Sequence, residues 1–167
     1  ELWDLTGAWC IPLFDVFQLY SLKLNGSTAL KDAKTFQSVA DIFNYFLTGK
    51  TVNEFTRFTT SVLYNQKEGK IEDSIFKRLG LPREIFPEMV FPGEKIGDIS
   101  GEVTSELGID AFPVIAPSTH DTSSAVAGIP VIDNKKNWAF MSLGTWACMG
   151  LENYDVLISD EIFDAVF

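Results

Sequence analysis

The residues Pro113-Val114-Ile115-Ala116-Pro117-Ser118-Thr119-His120-Asp121-Thr122-Ser123 carry the pattern from which the fold class follows. The apolar run at the start predicts a short buried strand, and the small residues 123–128 predict a helix. Strands that alternate with helices are typical of an α/β protein. In open α/β sheets, ligands bind at the carboxyl ends of strands, near helix N-termini. The polar residues 118–122 are therefore the first candidate site.

Two side chains at this junction have useful chemistry. Asp121 is a carboxylate that is suited to accept a proton from a substrate hydroxyl. His120, the one histidine of the chain, is suited to hydrogen-bond an oxygen of the same substrate. The alternative is that Asp121 caps the helix by accepting backbone hydrogen bonds, and spacing alone favours that cap. The small residues 125–128 favour the site, because they allow a ligand to approach closely.

A second candidate site is the pentapeptide Ser142-Leu143-Gly144-Thr145-Trp146, between predicted strands at 138–143 and 146–151. Gly144 lets the backbone approach a phosphate, and Thr145 adds a hydroxyl and an amide. The alternative is a tight hairpin that binds nothing, and the pentapeptide alone favours it. Neither a Walker-type loop nor a dinucleotide fingerprint is present in the sequence.

Apolar periodicity predicts helices before these sites. A helix after Pro12 is expected to bury Leu13, Phe17, Tyr20 and Leu24. A helix over 38–47 is expected to bury Val39, Ile42, Phe43 and Phe46 and to end at Gly49. A third helix is predicted from residue 53 or 54, with a strand as the alternative.

Residues that break or cap helices predict the elements between the third helix and the candidate site at 118–122. We expect a short helix over 72–79 that stops at Gly80, and a surface loop over 81–91. A strand at 96–99 and a helix over 100–107 follow. The polar stretch 133–137 is the predicted domain boundary.

Composition excludes several classes of protein. The 167 residues carry a formal net charge of -10, and 46% of them are hydrophobic, including 14 Phe. The apolar content indicates a folded protein, and the acidic surface excludes general nucleic-acid binding. The longest uncharged stretch, 137–151, is too short to span a membrane. The first residues do not resemble a signal peptide. The two cysteines are far apart in the sequence, which fits a reducing cytoplasm and does not indicate a zinc site.

Four segments share a further pattern. They are Leu5-Thr6-Gly7 with the helix after it, Asp41-Ile42-Phe43-Asn44-Tyr45-Phe46-Leu47-Thr48-Gly49 followed by Val52-Asn53-Glu54-Phe55-Thr56, His120-Asp121-Thr122-Ser123-Ser124-Ala125-Val126, and Trp138-Ala139-Phe140-Met141-Ser142-Leu143-Gly144-Thr145-Trp146. In this order they resemble the FGGY family of carbohydrate kinases over nearly the whole chain. The last two segments are specific when they occur together.

The resemblance implies an actin-like (ribonuclease H-like) α/β fold and an ATP-dependent kinase of a ketose, with L-rhamnulose as the expected substrate. It implies that 1–133 form the later part of the N-terminal sugar-binding domain and 134–167 the start of the C-terminal nucleotide-binding domain. It also implies a role for each candidate residue. Asp121 is the expected general base. The sugar is expected to bind to His120, Asp121 and Thr122. The phosphates of ATP, which carries Mg²⁺, are expected to bind to Gly144 and Thr145.

The chain departs from the family pattern at Leu143 and Thr119, where the family usually has Ser. An N-terminal Asp-x-Gly turn and a Gly-rich adenosine segment are not among these residues, so we expect a piece of a longer protein that is inactive alone. Two alternatives stay open. One is a kinase for L-fuculose or xylulose, and the other is a non-catalytic sugar-binding module of the same fold.

Overall fold

The computed structural model describes residues 1–131 and 138–165. Within these ranges the helices are α1 (Leu2–Thr6), α2 (Asp15–Leu24), α3 (Thr28–Asp32), α4 (Val39–Thr48), α5 (Phe55–Phe58), α6 (Asp73–Leu79), α7 (Gly101–Leu107), α8 (Asp121–Ala127) and α9 (Asp160–Ala165). The strands are β1 (Asn53–Glu54), β2 (Tyr64–Asn65), β3 (Lys70–Ile71), β4 (Met89–Val90), β5 (Lys95–Asp98), β6 (Pro113–Ile115), β7 (Ala139–Leu143) and β8 (Ala147–Leu151). The predicted α/β class is confirmed.

The strands of the described residues pair two by two. β1 and β4 run parallel, whereas β2 pairs with β3, β5 with β6 and β7 with β8 in antiparallel fashion. The hairpin of β7 and β8 is regular from the pair Ala139 and Leu151 to the pair Leu143 and Ala147. The two strands predicted around Gly144 and Thr145 are therefore confirmed.

The main core lies among α2, α6 and the segments 58–64 and 81–86. Val62 and Leu63 are fully buried, and Phe76 of α6 packs edge-on against Phe86 with ring centroids 4.9 Å apart. Burial of each such side chain contributes about 1.5–3 kcal/mol. The segment 81–91 was predicted to be a surface loop, and this prediction is wrong. It adds Leu81, Ile85 and Phe86 to the core and ends in β4.

Helix α4 begins and ends as predicted but turns the opposite face inward. Ser38 and Asp41 form a reciprocal capping box, and Gly49 ends the helix with a φ of 71°. The buried side chains are Asp41 and Asn44, while Phe43 and Phe46 are each 62% exposed. On this buried face the Asp41 carboxylate accepts the N–H of Glu54 at 3.1 Å.

Helix α2 shows a similar difference. Val16 and Leu19 are buried, whereas the predicted Leu13 and Leu24 lie on the surface. The predicted Phe17 and Tyr20 are half-buried, and Phe17 packs against the core. The guanidinium of Arg57 bonds both carboxylate oxygens of Asp15, at 2.9 and 3.0 Å, and this pair fixes the face that α2 turns towards α5. Such bidentate pairs are geometrically specific.

A helix was predicted from residue 53 or 54, with a strand as the alternative. Both are present, because strand β1 leads directly into helix α5. In this segment Phe58, Val62 and Leu63 are buried and Phe55 is half-buried. The helices predicted over 72–79 and 100–107 are confirmed as α6 and α7, each with a side chain capping its start, Glu72 and Ser100.

Strand β6 is present, but the prediction that it is buried is wrong. Pro113 and Ile115 are exposed, and among the strands of residues 1–131 and 138–165 β6 pairs with β5 alone. The predicted boundary at 133–137 and the division at 133/134 lie outside the described residues. No helix within 1–131 and 138–165 combines the length and apolar character of a membrane span.

Candidate active site at the end of strand β6

The loop from β6 into α8 is held at both ends. Ala116 is buried, and its N–H donates to the carbonyl of Glu94 at 2.8 Å. At the other end the Ser124 hydroxyl donates to the carbonyl of Ser118. Between these anchors the chain exposes His120, Asp121 and the start of α8, as expected from the strand–helix pattern.

The carboxylate of Glu54 holds the middle of this loop. Glu54 is fully buried. One of its oxygens, Oε2, accepts both the N–H of Thr119, at 3.0 Å, and the Thr119 hydroxyl, at 2.5 Å. The same carboxylate caps α5 by accepting the N–H groups of Thr56 and Arg57. A buried charge without a cation is stable only when hydrogen bonds surround it in this way.

A second layer of hydrogen bonds extends from Glu54. The Thr56 hydroxyl donates to Glu54 Oε2 at 2.6 Å and accepts the N–H of His120 at 3.3 Å. On the other side, the Glu54 N–H donates to Asp41 of α4. The network thus joins α4, α5 and the loop that leads to Asp121.

The two buried carboxylates have opposite pKa shifts. Burial alone raises the pKa of Glu54, but the hydrogen bonds from Thr119 and Thr56 outweigh it and hold that pKa below its ordinary value. Burial raises the pKa of Asp41, and hydrogen bonds from Ser38 and the Glu54 backbone only partly offset this. The hydrogen bonds around Glu54 therefore favour its charged form.

Asp121 is the first residue of α8, and its side chain is 97% exposed. Its Oδ1 accepts the N–H of Thr122 at 2.7 Å and lies 3.8 Å from Nδ1 of His120. The N-cap position belongs to His120, whose side chain makes no cap bond. Asp121 does not occupy the usual capping position, so this geometry favours an accessible carboxylate over a purely structural cap.

A cavity of about 420 Å³ lies beside this helix. Its walls include His120, Thr122, Thr56, Thr60 and Phe140 of β7. Asp121 is not among the residues that line it. Its size and its mixture of polar and apolar groups suit a small ligand. A larger cavity of about 570 Å³ runs along residues 151–157, between β8 and α9, and along Trp138. We assign the smaller cavity as the candidate site because it adjoins His120 and Thr122.

The predicted phosphate contacts lie at the tip of the hairpin. The Gly144 N–H donates to the carbonyl of Trp146 at 3.1 Å, which closes the turn. Thr145 is exposed at this tip. The structure brings β7 to the cavity through Phe140, but Gly144 and Thr145 are not among the residues that line it.

A family model for the N-terminal domain of the FGGY family of carbohydrate kinases matches residues 1–128. The chain belongs to the FGGY family. The match ends just after α8, so it includes the Glu54 network and His120, Asp121 and Thr122.

Curated FGGY relatives agree with the match. The chain is 40% identical to a rhamnulokinase of Bacteroides thetaiotaomicron over 96% of its residues and 33% of that protein. It is 38% identical to a rhamnulokinase of Halalkalibacterium halodurans over 83% of its residues and 29% of that protein. The chain therefore spans about a third of the length of the curated relatives that it matches.

Solved structures of sugar kinases share the fold. A carbohydrate kinase from Novosphingobium aromaticivorans aligns with a TM-score of 0.74 at 25% identity, over 90% of this chain and 33% of its own. A xylulose kinase from Lactobacillus acidophilus aligns with a TM-score of 0.65 at 23% identity, over 70% of this chain and 24% of its own. The expected actin-like FGGY fold is thereby confirmed in part, for the N-terminal domain.

Sequence reasoning missed Glu54, Thr56 and Asp41 as parts of the site. Residues 53 and 54 were interpreted as the start of a helix or strand and as part of a family segment, without a role at the site. The available signal was a pair of acidic residues, Asp41 and Glu54, within an otherwise apolar, Phe-rich segment. Charged residues in such a segment are rarely buried unless a network satisfies them.

Proposed function

We propose that these residues belong to an ATP-dependent ketose kinase that transfers the γ-phosphoryl group of MgATP to the 1-hydroxyl of L-rhamnulose. The observation that supports this best is the exposed Asp121 carboxylate at the start of α8, whose sequence neighbours His120 and Thr122 line a cavity. The identity to rhamnulokinases supports L-rhamnulose over L-fuculose or xylulose.

In the proposed reaction, Asp121 accepts the proton of the sugar hydroxyl as the hydroxyl oxygen attacks the γ-phosphorus. The bond from the γ-phosphorus to the bridging oxygen breaks, and ADP leaves with that oxygen. His120 and Thr122 hydrogen-bond the sugar and hold it in line for attack. Phosphoryl transfer depends mainly on positioning and on neutralising charge, so a base and a few donors suffice from this part of the protein.

We assign the hairpin tip to the phosphates of ATP. Since the Gly144 N–H already closes the turn, the amide and hydroxyl of Thr145 are the donors assigned to phosphate oxygens, and Gly144 gives the backbone room to approach. MgATP binds here as a substrate, with most of its contacts supplied by the nucleotide-binding domain.

We further propose that the chain is part of a longer protein, with 1–133 in the sugar-binding domain and 134–167 opening the nucleotide-binding domain. Two surfaces support this. One is the apolar face of α4, where Phe43 and Phe46 are each 62% exposed. The other is on the hairpin, where Met149 is 72% and Leu151 is 70% exposed. Apolar surfaces of this kind mark contacts with other protein segments, and a hairpin of two strands is only marginally stable alone.

The test is an ADP-release assay on the complete protein that contains these residues, with L-rhamnulose, L-fuculose and xylulose. We expect turnover with L-rhamnulose, and none from the 167-residue chain alone. Absence of turnover with every ketose, from folded protein that still binds a sugar, would contradict the kinase and favour the non-catalytic sugar-binding module. Turnover by the isolated chain would contradict the proposed division of domains.

Substitution of Thr145 by Val tests the hairpin. Thr145→Val removes a hydroxyl donor to a charged phosphate, so we expect the KM for ATP to rise about 10-fold or more while the KM for the ketose stays within about twofold. Steady-state kinetics with each substrate varied in turn measure both values. The exposed Thr51→Val is the matched control. An effect confined to the ketose would contradict a phosphate contact at Thr145.

A further inference from the structure

The Glu54 carboxylate contacts residues that are distant in sequence but adjacent to the candidate base. Its Oε2 accepts two hydrogen bonds from Thr119, which is 65 residues further along the chain. Through the Thr56 hydroxyl it also supports the N–H of His120. The backbone of the two residues that precede Asp121 is therefore fixed by one buried side chain.

The strength of this attachment follows from charge and burial. Hydrogen bonds to an ionised acceptor are shorter and roughly twice as strong as neutral ones. Glu54 receives five of them, from the amides of Thr56, Arg57 and Thr119 and from the hydroxyls of Thr56 and Thr119. Asp41 fixes the Glu54 backbone in turn, so the carboxylate is itself held in place.

A cap for α5 alone does not require this arrangement. Glu72 caps α6 with the same local pattern, accepting the N–H and the hydroxyl of Ser74, two residues on. Unlike Glu54, Glu72 is not deeply buried, and its further contact is to Asn65. The additional contacts of Glu54 to Thr119 serve the loop before α8, not the helix that Glu54 caps.

We propose that Glu54 is a positioning residue for the transfer reaction: it fixes Thr119 and His120 so that Asp121 at the start of α8 faces the sugar hydroxyl. This inference rests on the proposed function. Glu54 lies beneath the loop and is fully buried, so it acts through Asp121 and does not touch the substrate. A displacement of a base by about 1 Å can cost about 100-fold in rate.

The first test is Glu54→Gln in the complete protein, with Glu72→Gln as the matched control. Gln keeps the shape but removes the charge and turns an amide group towards donors. We expect kcat to fall about 10- to 100-fold with the KM for the ketose within about threefold, and Glu72→Gln to stay near wild type. Retention of kcat within about twofold, or equal losses in both variants, would overturn the proposal.

A double-variant measurement separates positioning from general structural damage. If Glu54 acts through Asp121, then Glu54→Gln added to Asp121→Asn causes little further loss of the residual turnover. A full additional loss in that background would show that Glu54 acts independently of Asp121 and would overturn the proposal.

The Thr119 side chain provides a second and milder test. Thr119→Ser keeps the hydroxyl donor and is expected to retain activity, whereas Thr119→Val removes one bond to Glu54 Oε2 and is expected to lower kcat about 3- to 10-fold. Because neither variant removes the buried charge, this pair decides the question even if Glu54→Gln does not fold. Equal activity of the two variants would overturn the role of the Thr119 hydroxyl in positioning.

Hydrogen exchange distinguishes failure of this inference from failure of the proposed function. In Glu54→Gln, the amides of Thr119 and His120 are expected to exchange about 10-fold faster or more, whether or not the protein phosphorylates a ketose. Unchanged exchange at both amides would overturn the positioning role. Faster exchange in a protein without kinase activity would refute the proposed function and leave the attachment of the loop intact.

Discussion

Asp121→Asn is expected to lower kcat of the complete protein about 100- to 10,000-fold, the range over which a general base contributes to catalysis. Asn has nearly the same shape as Asp and can still accept the Thr122 N–H through its carbonyl oxygen. Because it cannot accept the proton of the sugar hydroxyl, the loss should fall on turnover and leave the KM for the ketose within about threefold. The ADP-release assay with the sugar varied measures both quantities.

Asp110→Asn is the matched control for this prediction. Asp110 is an exposed aspartate in the loop after α7. It lies outside the cavity beside α8. The control should have wild-type kinetics, since surface substitutions away from a site change little. Unchanged turnover in Asp121→Asn would contradict the assignment of Asp121 as the base. A rise confined to the KM of the sugar would reduce its role to binding.

Phe76→Ala is expected to lower the free energy of unfolding of the chain about 3–5 kcal/mol. Phe76 is 2% exposed and lies between the Phe86 ring and the Arg83 guanidinium, which is 5.7 Å from its centroid. Removal of the ring leaves a cavity that the surrounding side chains cannot fill completely, and it also removes the aromatic contact. A loss of this size is a large fraction of the stability of a typical domain, about 5–15 kcal/mol.

Urea unfolding of the 167-residue chain, followed by circular dichroism, measures this effect. Tyr154→Ala is the control, because Tyr154 is 92% exposed and its truncation should change the free energy of unfolding by less than about 0.5 kcal/mol. A loss below about 1 kcal/mol in Phe76→Ala would contradict the placement of this ring at the centre of the core.

Most helix boundaries could be predicted because the signals that set them are local. Ser38 and Gly49 bound α4, and Glu72 and Gly80 bound α6, as expected. A cap or a glycine acts within a few residues, so its effect is readable without the rest of the fold. The β7–β8 hairpin was predicted for the same reason.

The inward faces of the helices were predicted less well. The apolar stripe of α4 is exposed in the described residues, and the polar pair Asp41 and Asn44 is buried. Periodicity identifies an apolar face but does not say what covers it. On the buried face of α4, Asp41 accepts the N–H of Glu54, and periodicity does not predict this contact.

In the candidate site, too, the local motifs were predicted and the contacts between distant residues were not. The strand–helix junction with His120, Asp121 and Thr122 was predicted from the sequence, as was the turn at Gly144 and Thr145, since both are continuous motifs. Their roles in catalysis and binding remain predictions. That Glu54 lies under the loop could not be predicted from spacing, because its partners at Thr56 and Thr119 leave no periodic pattern.

What the sequence by itself determined is the family, the order of α2, α4, α6, α7, α8 and the β7–β8 hairpin, and the two motifs where chemistry is expected. These depend on residues that are adjacent or nearly so, and local conformational preferences act over that range. Only the tertiary structure decided which helix faces are buried and which carboxylate supports the loop before Asp121. The physical reason is that hydrogen bonds between residues 65 positions apart form only after the chain has folded.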